Sequence, residues 1–279
     1  MTNELLDISD KLDPGTIAIY RDVADVAREF DIEYLVVGAS GRDLILRHAY
    51  GMEVQRATND YDFAFEVADL ATYEALRSRL ISNGFQPHRQ SQRLVSPRGV
   101  DVDLVPFGDL ADDAGNITLP PEHDHKMSVL GFPEALASAQ IVRMSRDPLL
   151  DVPVVSLPGL LLLKLIAWGD RPRSKRAKDA QDFRYVIESF IKIPHDVSGI
   201  WEESHYLDRF EGDIDQVAAA VLGRQTRQIA DDRSARVVTE LLTGAQLHAF
   251  AADMDARLAS SPSNSLILVD AFLVGFRGD

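Results

Sequence analysis

From Ile17 to Phe30 the apolar residues Ile17, Tyr20, Val23, Ala24, Ala27 and Phe30 recur at helical spacing, and Asp13-Pro14-Gly15-Thr16 ahead of them supplies a turn and a cap. The pattern predicts an amphipathic helix. Glu33 to Val37 is a short β-branched run ending at Gly38, and Asp43 to His48 reads as a helix after a glycine-rich turn, which predicts strand, turn, helix. Asp60 to Val67 then alternates strictly. Asp60, Asp62, Ala64 and Glu66 fall on one face and Tyr61, Phe63, Phe65 and Val67 on the other, the period of a strand buried on its aromatic side. Ala71 to Asn83 is a second amphipathic helix, stopped at Gly84. Gly99 to Phe107 repeats the strand signature with Val100, Val102 and Leu104 opposite Asp101, Asp103 and Val105. The stretch from Gly108 to Pro121 has no period and reads as a loop. A short helix is expected around Pro133 to Ala139 and a strand near Ile141 to Met144.

After Pro158 the character changes. Helical patterns cover Gly159 to Trp168, Ala177 to Phe190, Ile214 to Ile229, Ser234 to Leu242, Ala245 to Leu258 and Ser265 to Phe276. A chain of 279 residues stands near the ~250 to 300 at which single cores stop growing, so two domains are expected. The boundary is placed near residue 150: an α/β (α+β) domain with a mixed sheet over 1–150, followed by a mainly α-helical domain over 151–279. No internal repeat or low-complexity tract interrupts either part.

The longest apolar run, Val152 to Trp168, is broken by Pro153, Pro158 and Lys164 and falls short of the ~20 residues of a membrane helix. It is therefore expected in a core, with no membrane partner. Met1 to Asp10 is acidic and has neither a basic region nor an apolar stretch, so a cytoplasmic protein is expected. The chain has no cysteine, which excludes disulfides, zinc-thiolate sites and thiol nucleophiles. Any catalytic metal must sit on oxygen or imidazole. The formal net charge of −15 argues against broad binding to a phosphate backbone. Against that trend, Arg171, Arg173, Lys175, Arg176 and Lys178 concentrate positive charge at one helix start.

The paired acids carry the chemistry. Residues i and i+2 of a strand lie roughly 6.5 to 7 Å apart, so Asp60 and Asp62 repel by roughly 2.5 kcal/mol at an effective dielectric of ~20. A third carboxylate, for which Asp103 is the candidate, roughly triples that. A divalent cation removes the penalty, and hard carboxylate oxygens suit Mg²⁺, which commonly bridges to substrate phosphates. The turn Val37-Gly38-Ala39-Ser40-Gly41-Arg42-Asp43 sets small residues between a strand and a helix, where amides and a hydroxyl approach a phosphate. It matches neither the P-loop nor the dinucleotide fingerprint. Ser40 as an acyl-transfer nucleophile has no histidine orienter among His48, His88 and His195. His123 and His125 around Asp124 read as a polar connection, and Thr58 as a cap at a strand start.

The order of glycine-serine turn, Asp-x-Asp strand and third-Asp strand resembles the nucleotidyltransferase superfamily. The resemblance narrows downstream. Gly38-Ala39-Ser40-Gly41-Arg42-Asp43-Leu44 and Arg56-Ala57-Thr58-Asn59-Asp60-Tyr61-Asp62-Phe63 look like the first two motifs of AbiEii/AbiGii-type toxin nucleotidyltransferases. Leu160 to Trp168 containing Lys164, then Arg171 and Lys178-Asp179-Ala180-Gln181-Asp182, look like its lysine and aspartate motif. The match spans roughly residues 35 to 225, including Met127 to Phe132 and Val221 to Arg224.

That resemblance implies transfer of a nucleoside monophosphate from an NTP to an acceptor hydroxyl, with Mg²⁺ or Mn²⁺ on Asp60, Asp62 and Asp103. Asp103 would also help to activate the acceptor. Gly38, Ser40, Gly41 and Arg42 would hold the nucleotide, with Lys164 neutralising phosphate and Asp179 pairing Lys164 in the free enzyme. A lysine inside so apolar a helix needs an acid or a phosphate partner in any case, and Arg42 with Asp43 reads equally as a helix-start ion pair. The family further implies the toxin of a bacterial toxin-antitoxin or phage-defence system, with a cognate antitoxin and tRNA as acceptor. The acidic balance fits a cationic, aminoglycoside-like small molecule at least as well, and a non-catalytic nucleotide-binding partner of the same fold is the third alternative.

Overall fold

A computed structural model describes residues 5–53, 60–119, 126–194, 198–256 and 264–278. The chain divides into two compact units, Thr2–Ser156 and Leu157–Asp279.

In the first unit, α1 (Pro14–Glu29) starts where Asp13 accepts a hydrogen bond from the Thr16 amide at 3.0 Å, with Pro14 supplying a helical φ at the first position. Its apolar stripe, including Ile19, Tyr20, Val23 and Ala27, is buried. The strands are β1 (Leu6–Asp7), β2 (Tyr34–Val37), β3 (Asp60–Glu66), β4 (Gln86–Pro87), β5 (Arg93–Val95), β6 (Asp101–Phe107), β7 (Asn116–Thr118), β8 (Lys126–Ser128), β9 (Gln140–Arg146) and β10 (Leu149–Val154). Eight of them form one mixed sheet in the order β1-β9-β10-β2-β3-β6-β5-β4, while β7 and β8 pair separately. This is the α/β architecture expected for the first part of the chain.

Strand β3 lies inside the sheet, antiparallel to β2 and parallel to β6, which is reached through α3 (Leu70–Ser82) and the short strands β4 and β5. Its aromatic face is packed: Tyr20 of α1 meets Tyr61 edge-on at 5.2 Å and Phe63 at 5.5 Å. From α3, Tyr73 donates its hydroxyl hydrogen to the Leu104 carbonyl at 3.0 Å. The acidic positions consequently face the other way.

Two expectations need correction. The Gly-rich segment is itself helical: α2 (Gly38–Asp43) begins at Gly38 and runs into a π-helical turn over Leu44–Ala49. The missing side chain of Gly41 is what allows the close approach, because a Cβ there would stand 2.9 Å from the Val36 carbonyl oxygen. The stretch after Gly108 contains a strand, β7, held to β8 through Ile117↔Met127. Strand β10 closes the first unit, and its Leu150, Val152 and Val154 are buried. Pro153 is tolerated there because the β10–β2 pairing registers only Val154 against Val36.

The second unit is helical, as expected. It comprises α5 (Leu157–Asp170) and α6 (Arg173–Phe190), which follow α4 (Phe132–Ala137) of the first unit, and then the helices Ser204–Arg209, Ile214–Ile229, Asp232–Leu241, Gly244–Asp255 and Ser265–Arg277. Helix α5 is apolar nearly all round and is buried accordingly. Phe250 stands edge-on to both Trp168 and Phe183 at 5.1 Å, and Phe183 to Phe272 at 5.0 Å. Helices Ile214–Ile229 and Ser265–Arg277 touch backbone to backbone at two glycines. A Cβ on Gly223 would lie 2.0 Å from the Phe272 carbonyl oxygen, and one on Gly275 would lie 1.8 Å from that of Ala220.

Candidate functional site

The parallel register between β3 and β6 places Asp60 beside Asp101 and Asp62 beside Asp103. Registered partners share a face, so four carboxylates stand together. One ligand oxygen from each of Asp60, Asp62 and Asp103 lies within 4.8 Å of the others. The structure therefore brings together the three residues singled out as a cluster.

At a separation of 4.8 Å two full charges repel by about 3.5 kcal/mol at an effective dielectric of ~20, less where a side chain is open to water. Asp60 is 42% exposed and Asp103 17%, so screening relieves Asp103 least. The oxygens of one octahedral Mg²⁺ shell, with bonds of ~2.1 Å, lie ~3.0 to 4.2 Å apart. A modest contraction of the triad brings it to that spacing, and the donor set is all hard oxygen. The residues present fit a divalent cation.

Asp62 is held from two sides by the segment that precedes it. Gly38 takes φ +66°, and a Cβ there would lie 2.1 Å from Asp62 Oδ2, so only glycine lets the backbone pass this carboxylate. Two residues on, the buried Ser40 hydroxyl donates to the Val37 carbonyl at 3.1 Å and accepts from the Asp62 amide at 3.2 Å. Gly38 and Ser40, expected to face a triphosphate, thus seat the strand that carries Asp62. Tyr20, whose hydroxyl also bonds Ser40, has its acidity suppressed by burial first and then by neighbouring Tyr61, Asp62 and Asp43. Arg42 is 3% exposed and donates its Nε hydrogen to Asp43 at 2.8 Å, an ion pair that stands in the last turn of α2 and not at a helix start.

One charged residue at the cluster was not anticipated. Arg93 of β5 is registered against Asp103 and donates to both its oxygens at 2.6 Å. It also donates to Asp101 at 2.9 Å and lies 3.5 Å from Asp60. These bonds to Asp103, followed by the charges of Asp101 and Asp60, outweigh burial and hold the guanidinium even more firmly protonated than usual.

Lys164 and Asp179 belong to the helical unit. Lys164 Nζ lies 3.1 Å from Asp179 and 2.6 Å from Asp182, and Arg171 reaches the other Asp179 oxygen at 2.7 Å. Burial pushes the Lys164 ammonium toward neutrality, but Asp182 and Asp179 overcome it and leave its pKa raised. Asp182, a second partner one helical turn beyond Asp179, went unread although it stands in the same sequence motif. In the basic stretch, Arg176 is taken up by Asp253 at 2.8 Å and lies 4.1 Å above the Trp168 ring. Arg56 to Asn59 and His123 to His125 lie outside the described residues.

No protein-family model and no curated protein matches the chain. Among solved structures it is similar to the antibiotic-resistance factor ANT(2'')-Ia, at 13% identity over 72% of this chain and 97% of that one, with a TM-score of 0.36. It is also similar to the Thermotoga maritima CCA-adding enzyme in complex with tRNA, at 14% identity over 96% of this chain and 80% of that one, with a TM-score of 0.30. Likeness at this level carries no argument of its own. What the chain offers is a carboxylate triad built on two registered parallel strands, steadied by a glycine and a serine at the start of a helix.

Proposed function

We propose that the protein is a divalent-metal-dependent nucleotidyltransferase that moves a nucleoside monophosphate from an NTP to an acceptor hydroxyl. The observation that carries this reading is the convergence of Asp60, Asp62 and Asp103, with ligand oxygens within 4.8 Å of one another on β3 and β6. Mg²⁺ or Mn²⁺ held there would neutralise the triphosphate and the departing pyrophosphate. The chain's own groups supply position. Ser40 holds the Asp62 amide and Gly38 leaves room for its carboxylate, so that the carboxylate is oriented before substrate arrives. Asp103, 17% exposed, would help to activate the acceptor hydroxyl by taking up its proton. Atoms balance as the acceptor oxygen bonds to the α-phosphorus while the bond to pyrophosphate breaks.

For the acceptor, the family resemblance supports tRNA and the role of a toxin held in check by an antitoxin. A net charge of −15 favours a second reading, a cationic small molecule such as an aminoglycoside. Lys164 has both nearby carboxylates as partners within its own unit. A role in phosphate binding requires it to exchange one of them for the nucleotide.

The test is incubation of the protein and Mg²⁺ with each α-labelled NTP, against total tRNA and against an aminoglycoside. Label on tRNA supports the toxin reading and label on the drug supports the second. Transfer that survives Asp60→Ala, or no transfer to any acceptor with either Mg²⁺ or Mn²⁺, counts against the proposal.

A further inference from the structure

Arg93 stands among the ligands of the site. Its Nε and Nη2 hydrogens are donated to the two oxygens of Asp103, each at 2.6 Å, the in-plane fork geometry in which one guanidinium takes up a whole carboxylate. Nη2 also lies 3.5 Å from Asp60 Oδ2, so a single nitrogen faces two of the three triad members. Nη1 is held separately, by Asp101 Oδ2 at 2.9 Å. Asp101 shares the sheet face but is not part of the converging triad.

We propose that Arg93 is the resident cation of this site and gates metal loading: it neutralises the triad before metal arrives and leaves Asp103 when a divalent ion is bound. The inference rests on the proposed metal centre and adds a residue that sets its affinity. Two features make the exchange feasible. The fork takes one lone pair on each Asp103 oxygen and draws off the carboxylate's charge, and a guanidinium at hydrogen-bond distance repels an incoming dication. Asp101 meanwhile gives the displaced guanidinium a second carboxylate on the same strand, so Arg93 can release Asp103 without losing every partner. The side chain is long, and it springs from a three-residue strand paired to β4 through only two residues. Arg93 is thus a positioning residue, acting on the chemistry through Asp103.

The test is Mn²⁺ binding to the whole chain, followed by the loss of the free-ion signal in electron paramagnetic resonance, for wild type, Arg93→Gln, Arg93→Lys and each with Asp62→Asn. Arg93→Gln is expected to bind Mn²⁺ at least tenfold more tightly than wild type. Arg93→Lys, which keeps the charge and loses the fork, is expected to fall between them. Asp62→Asn is expected to remove the binding in every background. Thermal melts give a second reading: without metal Arg93→Gln melts below wild type, and saturating Mn²⁺ raises its melting temperature by more than that of wild type. Asp62-dependent Mn²⁺ binding of equal or lower affinity in Arg93→Gln overturns the gate while leaving the metal centre standing. Absence of Mn²⁺ binding in wild type and in Arg93→Gln removes the metal centre and the gate together.

Discussion

Replacing Gly38 with alanine is expected to damage the site far more than the fold. The residue sits at φ +66°, where an L side chain costs about 1 to 2 kcal/mol. The new methyl would stand 2.1 Å from Asp62 Oδ2 and 3.0 Å from its Cβ, more than about 1 Å inside ordinary contact with the oxygen. A carboxylate is the mobile end of a side chain, so the clash resolves by turning Asp62 away. The fold absorbs this at roughly 1 to 3 kcal/mol in total, lowering the melting temperature of a unit this size by roughly 3 to 10 °C. The carboxylate cluster does not absorb it. A ligand displaced by about 1 Å costs on the order of 100-fold in a positioned reaction. Mn²⁺ affinity and α-labelled NTP transfer should both fall by about that factor or more, while circular dichroism stays native. A Gly38→Ala protein that melts a few degrees lower yet binds Mn²⁺ and transfers nucleotide like wild type would refute the assignment of Asp62.

Gly223→Ala presents the opposite case. Its methyl would meet a backbone oxygen at 2.0 Å, which cannot rotate aside, so the helical unit should lose more than about 4 kcal/mol and express poorly. Lys164→Met removes the cation between Asp179 and Asp182, 1% and 7% exposed, while Arg171 stays on Asp179, and denaturant melts should show a loss of roughly 3 kcal/mol. Because the Lys164 pKa is raised in the fold, its contribution is complete below the unfolded value near 10.5 and is lost as pH climbs through the folded one. Wild type should therefore lose more stability than Lys164→Met as the pH is raised above about 10.5; parallel curves would contradict the pairing. His48 is lowered by burial and then by Arg47. It resists protonation in the fold, so acidifying from about pH 7.5 to 5 should destabilise wild type more than His48→Asn.

Much of the N-terminal site is legible in the alternation of residues 60–67, because a period of two fixes which side chains share a face whatever lies beside the strand. That Asp103 stands beside Asp62 is a matter of register, which local periodicity leaves open. Arg93 was missed for a related reason, although a signal existed. Ser96-Pro97-Arg98-Gly99-Val100 is a turn closed by the Ser96 amide and hydroxyl around Gly99 at φ +77°. Counting back across such a hairpin pairs residue 95 with 101 and 93 with 103. The Gly-rich segment misled in another way. Small residues after a strand suggest an open phosphate-binding turn, whereas here they let a helix begin at once against β2 and Asp62. In the helical half, α5 and α6 were visible from composition, and Lys164 from being a lone charge in an apolar helix. Which acids meet it depends on how α6 is rotated against α5, and that rotation brings in Asp182 as well as Asp179.

The most direct test of the metal centre is anomalous diffraction at the manganese edge from crystals of the protein grown with Mn²⁺ and a non-hydrolysable NTP analogue. The account predicts a peak within about 2.2 Å of oxygens from Asp60, Asp62 and Asp103, with Arg93 withdrawn from Asp103 toward Asp101. Saturating Mn²⁺ with no peak at these carboxylates, and the Arg93–Asp103 fork still in place, would contradict it.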